Sequence, residues 1–299
     1  MQFYKNCNLC PRKCGIDRVN HTGFCSVGAE LKIGRAALHF WEEPCVSGTK
    51  GSGTVFFSGC TLKCCYCQNY ALGRGKEGVV TTAENLAKMF LNLQSCGAHN
   101  INLVTAEHYA PDVRNAVLKA RCEGLSVPVI LNTSGYLSQK ALEIFSDVID
   151  VYLFDFKYMD QETAQKYSCA GDYPQVAKDA LKTITGMKPE IVMNEEGLIQ
   201  SGVIVRHLCL PGHSEESKNI IKYVFENYKD SVILSIMSQY TPFVKNCGFE
   251  NLKRTLTEKE YDDILNYCIE AGIEDAYIQE GGAAEESFIP SFDATGVIS

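Results

Sequence analysis

The chain has 299 residues, enough for one large α/β core or two smaller ones, and its 45% hydrophobic and 21% charged content is that of an ordinary soluble globular enzyme. A net charge of −8, a pI near 5.4 and the lack of a basic cluster argue against a nucleic-acid-binding face. No apolar run approaches the ~18 residues a membrane span needs, and the first residues lack the positive start and apolar core of a secretory signal. The expected location is the cytoplasm.

Residues 1–50 read as a short cysteine-rich extension with a possible metal site, because Cys7, Cys10, Cys14 and Cys25 carry metal-like spacing. A small loop-rich segment gains from a metal staple. Zinc would make that site structural, an iron–sulfur cluster would make it an electron relay, and free or buried thiols are the alternative. His39, Glu42, Glu43 and Cys45 follow, as a solvated charged patch or as the lining of a substrate entrance.

From residue 51 to 299, strand-like and helix-like stretches alternate, the pattern of a parallel sheet built from β-α units. Strands are predicted over 55–58, 101–105, 127–131, 151–154, 202–208 and 231–237. Helices are predicted from Thr82, with Leu86, Met89, Phe90 and Leu93 at helical spacing, and over 110–125, 138–148, 215–228 and 258–271. The stretch 161–187 reads as helix broken at Gly171-Asp172-Tyr173-Pro174, and Ala276-Tyr277-Ile278 is a last short apolar run. Six such units imply an α/β fold with an open, partial (β/α)6 barrel. In parallel β-α folds the chemistry sits where strands end and loops begin.

Fifteen cysteines in such a chain mean metal ligation plus buried thiols, and nine of them fall within the first 67 residues. Cys60, Cys64 and Cys67 form a C-x3-C-x2-C triad directly after the first predicted strand. A four-iron cluster ordinarily takes four protein cysteines, so three leave one iron open for a non-protein ligand. A zinc knuckle or three buried thiols is the alternative. The triad, with Tyr66 just before its third cysteine, resembles that of the radical S-adenosylmethionine (radical SAM) superfamily. Cys7-x2-Cys10-Pro11-Arg12-Lys13-Cys14-Gly15, the lead-in Gly51 to Phe57 and the exit Cys67-Gln68-Asn69 are similar to one branch of it, the uncharacterised proteins known as pyruvate formate-lyase activating enzyme-like. Glu107-His108-Tyr109 and Ser238-Gln239-Tyr240 resemble that branch too.

The resemblance covers essentially the whole chain. It implies a radical SAM core over residues 51–299, a [4Fe-4S] cluster on the triad and S-adenosylmethionine (SAM) chelated at the open iron. It further implies an electron from a reduced flavodoxin or ferredoxin, cleavage of SAM to a 5′-deoxyadenosyl radical, and hydrogen abstraction from a substrate. Under it, Glu107 would meet the SAM amino group, Asn132 and Ser134 its ribose or carboxylate, and Arg206 its carboxylate through a bidentate fork. Asp155 and Lys157 resemble the Asp-Leu-Lys motif of glycyl-radical-enzyme activases. Alternatively, these charged groups simply pair with one another to close the rim. Gln239 and Tyr240 are expected to point into the cavity, and Gln279-Glu280-Gly281-Gly282 to close the open side. The substrate reading is a glycyl radical enzyme or another polypeptide; the alternatives are a small molecule or, with no catalysis, electron transfer.

Overall fold

The computed structural model describes residues 2–243, 248–273, 275–279 and 290–299. Its strands, in chain order, are β1 (Leu31–His39), β2 (Ser52–Phe57), β3 (Val79–Thr81), β4 (Ile101–Val104), β5 (Val129–Thr133), β6 (Val151–Asp155), β7 (Val192–Met193), β8 (Ile199–Leu208), β9 (Ile233–Met237) and β10 (Ala276–Ile278). They form a mixed sheet in the order β10-β9-β8-β6-β5-β4-β2-β1-β3, with β7 paired to β8. From β2 to β10 every neighbouring pair on that path is parallel, while β1 runs antiparallel to β2 and β3. Among the described residues the two ends of this path are not paired, and the parallel part is an open, partial barrel.

The helices begin where side chains can satisfy their free N–H groups. Thr82, Ser138 and Asp160 each accept from the backbone three residues on, and Thr257 makes a full capping box with Glu260. The helix predicted across 161–187 is two, Gln161–Ser168 and Tyr173–Met187. Cys169 ends the first in a left-handed conformation, and Pro174 falls in the first turn of the second, where its missing N–H costs nothing. Tyr173-Pro174 therefore starts a helix. No helix among the described residues is long and apolar enough to cross a membrane.

Alternation along the parallel strands divides two faces. Val129, Leu131, Tyr152, Phe154, Val203 and Val205 join the large core under the helices, whereas Ile130, Val151, Leu153 and Ile204 face the inside of the curve. That inner face is filled by Cys45 and Val46, which lie in a short helix, Pro44–Ser47, directly after β1. The sheet thus runs across the boundary expected between residues 50 and 51: β1 pairs with β2 from His39↔Ser52 to Ile33↔Phe57, with a bulge between Ile33 and Arg35. His39, Glu42, Glu43 and Cys45 are accordingly no solvated charged patch. Glu43 and Cys45 are buried within the barrel, and Glu42 points its carboxylate into the same interior.

Candidate functional site

Two residues beyond the apolar inner positions, each strand changes to polar chemistry on the same face. Asn132 follows Ile130, Asp155 follows Leu153 and Arg206 follows Ile204, with Asp155 and Arg206 paired in register. This places the polar groups at the carboxyl ends of the strands, around a cavity of about 250 Å³ that also takes in Cys60, Cys64 and Cys67.

The triad loop leaves β2 through Gly59 at φ +85, where a Cβ would sit 2.8 Å from the carbonyl oxygen of Cys25. Only glycine suits that passage. The Cys60 N–H donates to the same carbonyl at 3.1 Å, and the carbonyls of Ser168 and Tyr167 accept from Lys63 and Cys65. The Ser168 hydroxyl donates to Cys64 Sγ at 3.0 Å and is linked through Tyr158 to the Tyr66 hydroxyl. Burial pushes the Cys60 thiol up, and with repulsion from Cys64 it pushes Cys67 up to about 11. Without a metal these two thiols stay protonated at neutral pH; ligation displaces their protons.

Opposite the triad, Arg206 is the hub of the rim. Its Nε donates to Asp155 Oδ1 at 2.8 Å, Nη1 to Glu42 Oε2 at 2.7 Å and Nη2 to Asn132 Oδ1 at 2.8 Å. Glu43 Oε2 lies 3.8 Å away, and Asn102 and Asn132 both donate to Glu42 Oε1. Burial alone would lower the arginine and raise Asp155, but their mutual attraction wins on both sides: Arg206 is raised, and Arg206 with Lys157 holds Asp155 below the usual carboxylate range. Lys157 Nζ donates to Asp155 Oδ2 at 2.8 Å. Three of the five guanidinium N–H donors are thus held by protein groups, the arrangement of the paired-rim alternative.

Asn132, Ser134, Asp155, Lys157 and Arg206 all line the cavity, as do Gln239 and Tyr240. Glu107 does not. It is fully buried beneath the triad loop, with Oε1 accepting from Thr61 Oγ1 at 3.4 Å, Oε2 unpartnered, and burial pushing it up to about 7. His108 is a buried core histidine whose Nε2 meets the Ser58 carbonyl at 2.9 Å. Glu280 to Gly282, expected to close the barrel, lie outside the described residues. Thr105, the last residue of the strand predicted over 101–105, lines the cavity itself at φ +61, a strained conformation for a β-branched residue.

Residues 54–224 match the family model of the Radical SAM superfamily, more than half of the chain. The chain belongs to this superfamily. It is 26% identical over 271 residues to the uncharacterized protein MJ0674 of Methanocaldococcus jannaschii, covering 88% of this chain and 74% of that one. It is 25% identical over 219 residues to the pyruvate formate-lyase-activating enzyme of Clostridium pasteurianum, covering 70% and 84%. Among solved structures it resembles Streptococcus suis SuiB bound to the precursor peptide SuiA (TM-score 0.53, 12% identity) and HydG, a maturase of the [FeFe]-hydrogenase (TM-score 0.50, 14% identity). These cover 75% and 79% of this chain, which spans 47% and 54% of theirs, and they show a shared fold.

Membership implies a [4Fe-4S] cluster and SAM, and the residues present fit both. Three thiols, with no fourth cysteine among the described lining residues, face one cavity. Ser134 Oγ, buried in that lining, has no protein partner and awaits a polar ligand. Among the described residues, no three His, Cys, Asp or Glu are gathered as ligands of a single ion. A cluster asks for something else, because each thiolate binds its own iron.

Proposed function

We propose that the protein is a radical SAM enzyme that reductively cleaves SAM at a [4Fe-4S] cluster on Cys60, Cys64 and Cys67, with a polypeptide as substrate and a glycyl radical enzyme as the leading case. The observation that carries this reading is the cavity with three thiols on one wall and an ion-paired polar rim on the other. When bound, the cluster and SAM supply a one-electron cleavage to methionine and a 5′-deoxyadenosyl radical that takes hydrogen from the substrate.

The chain's own residues hold the ligand. Lys157 has three N–H donors, of which one is committed to Asp155, leaving cationic donors for the SAM carboxylate. Asp155, kept ionised by Arg206 and Lys157, is an acceptor for the SAM amino group, and Ser134 and Asn132 stand by the ribose. Arg206 acts indirectly, fixing Asp155 and Asn132 in place. Phe56, Leu62, Tyr66 and Met237 give the same cavity apolar walls that exclude water.

Two features favour a polypeptide. The Clostridium pasteurianum relative, by its name, acts on another enzyme. At the mouth, Trp41 lines the cavity while 57% exposed, beside Phe40 at 50%, an aromatic rim suited to a docked chain. The electron donor is a reduced flavodoxin or ferredoxin, and the setting is the cytoplasm. Anaerobic, dithionite-reduced holoprotein should release 5′-deoxyadenosine from SAM, and with a glycyl radical enzyme it should generate a glycyl radical signal in electron paramagnetic resonance. No 5′-deoxyadenosine from iron-replete protein refutes the cleavage. Hydrogen taken only from small molecules, never from a polypeptide, refutes the substrate class.

A further inference from the structure

The cysteines of the first thirty residues are absent from the cavity lining. Cys7, Cys10 and Cys25 are buried, Cys14 is half-buried, and all four are free thiols. Tight turns fold them together. Lys13, at φ +41, donates its N–H to the Cys10 carbonyl; Gly15, at φ +65, donates to Cys7; and Ser26, at φ +70, donates to Gly23 beside Cys25. Cys14 packs against Cys7, its Sγ 3.9 Å from the Cys7 carbonyl, while Cys25 Sγ lies 3.8 Å from the Val27 carbonyl.

Beside these thiols lies Arg18, 1% exposed. Its guanidinium donates to the carbonyls of His108 at 2.7 Å, Gly28 at 2.6 Å and Val27 at 3.4 Å, and Nη1 points at Cys7 Sγ at 3.7 Å. No carboxylate forms an ion pair with it among the described residues. A buried charge left uncompensated is costly by several kcal/mol. Two thiols flank this cation: Cys7, whose Sγ receives Nη1, and Cys25, whose Sγ shares the Val27 carbonyl with the guanidinium. A metal-bound thiolate is anionic, which is the charge this cation lacks.

We propose that Cys7, Cys10, Cys14 and Cys25 hold a tetrathiolate metal centre, zinc or a [4Fe-4S] cluster, whose net negative charge is balanced by the buried Arg18. It stands independently of the function proposed for the cavity. Among the described residues no three such groups are gathered around one ion, so metal binding would draw the four thiols inward. Its location gives it a consequence for the triad. Cys25 accepts from the Cys60 N–H, Arg12 Nε donates to the Thr61 carbonyl at 3.0 Å, and Lys63 Nζ donates to Ser26 Oγ at 2.8 Å. A metal here braces the loop that carries the triad.

The test is metal analysis of the Cys60→Ala, Cys64→Ala, Cys67→Ala protein, isolated and reconstituted anaerobically. About one zinc per chain, or about four irons with matching sulfide, supports the centre and tells the two apart; folded protein without metal overturns it. Should that variant not fold, Cys10→Ser with Cys25→Ser in the intact chain should lose the same complement while the triad's iron remains, and an unchanged metal content overturns the proposal. Arg18→Met should shed the N-terminal metal to a chelator about tenfold faster or more, as loss of a ligand-supporting partner does; an unchanged rate removes Arg18 from the centre.

Discussion

Two buried arginines sit on opposite sides of the triad loop in different company. Arg206 is surrounded by protein carboxylates and amides, so its charge is already answered and the rim it builds is complete before any ligand arrives. Arg18 is surrounded by carbonyls, aromatic rings and the Cys7 thiol, with no carboxylate ion-paired to it among the described residues. The contrast separates two uses of a buried cation. One holds protein groups in position; the other asks for an anionic ligand set. The cysteines divide the same way, the triad open to a cavity and the N-terminal set closed against the core.

The sharpest way to break the comparison is at the triad. Cys64→Ala should abolish the cavity cluster and with it all SAM cleavage, whatever the N-terminal thiols hold, because the remaining two ligands cannot anchor four irons. Iron and sulfide analysis with a 5′-deoxyadenosine assay reads this directly; retained cleavage would place the cluster elsewhere.

At the rim, Arg206→Met should destabilise the apoprotein by about 3–5 kcal/mol, the usual result of stripping one partner from a buried ion-pair set. Chemical denaturation measures it. A loss of SAM affinity with no loss of stability would instead return Arg206 to the role of ligand clamp. Acid titration sharpens the same point. Asp155 is held below its ordinary value of 3.8, so its ion pairs contribute fully above that value and are lost as pH falls through the depressed folded one. Asp155→Asn should flatten that acid limb of the stability profile while lowering stability at pH 7.

Much of this was legible in the sequence. Six of the seven described parallel strands were readable because strands covered on both faces are continuous apolar runs, and the triad because iron–sulfur ligation needs thiols at short, fixed intervals. β1 was hidden: its bulge at Ile33 and Arg35 breaks the alternation, and the nearby cysteines drew the segment into an apparent extension. The partner of Arg206 was hidden for a different reason. Glu42 lies 164 residues away in the chain, and no local pattern says that the residues after β1 will fold into the barrel's interior. The setting of Glu107 was not legible either: the backbone takes a positive φ at Thr105, and the carboxylate that follows meets Thr61 of the triad loop.

Lys157 tests whether the rim retains charge for a ligand. A charge-assisted hydrogen bond is worth roughly 1.5–3 kcal/mol, so Lys157→Met should weaken SAM binding by about one to two orders of magnitude in calorimetric titration of the reconstituted protein. Unchanged affinity would make Lys157 another closed partner, like Arg206.

The smallest effect is expected at Ser134, and its sign distinguishes a ligand contact from a structural one. Its hydroxyl is buried in the cavity wall with no protein partner, so the apoprotein bears its desolvation without a compensating hydrogen bond. Ser134→Ala removes that cost, and the apoprotein should be as stable as the parent or slightly more so. The same change deletes a hydrogen bond to bound SAM worth about 1 kcal/mol, which lowers affinity roughly five-fold. Thermal denaturation of the apoprotein and titration of the reconstituted protein should therefore move in opposite directions. If stability falls and SAM affinity holds, the hydroxyl serves the strand end and the ligand lies elsewhere along the rim.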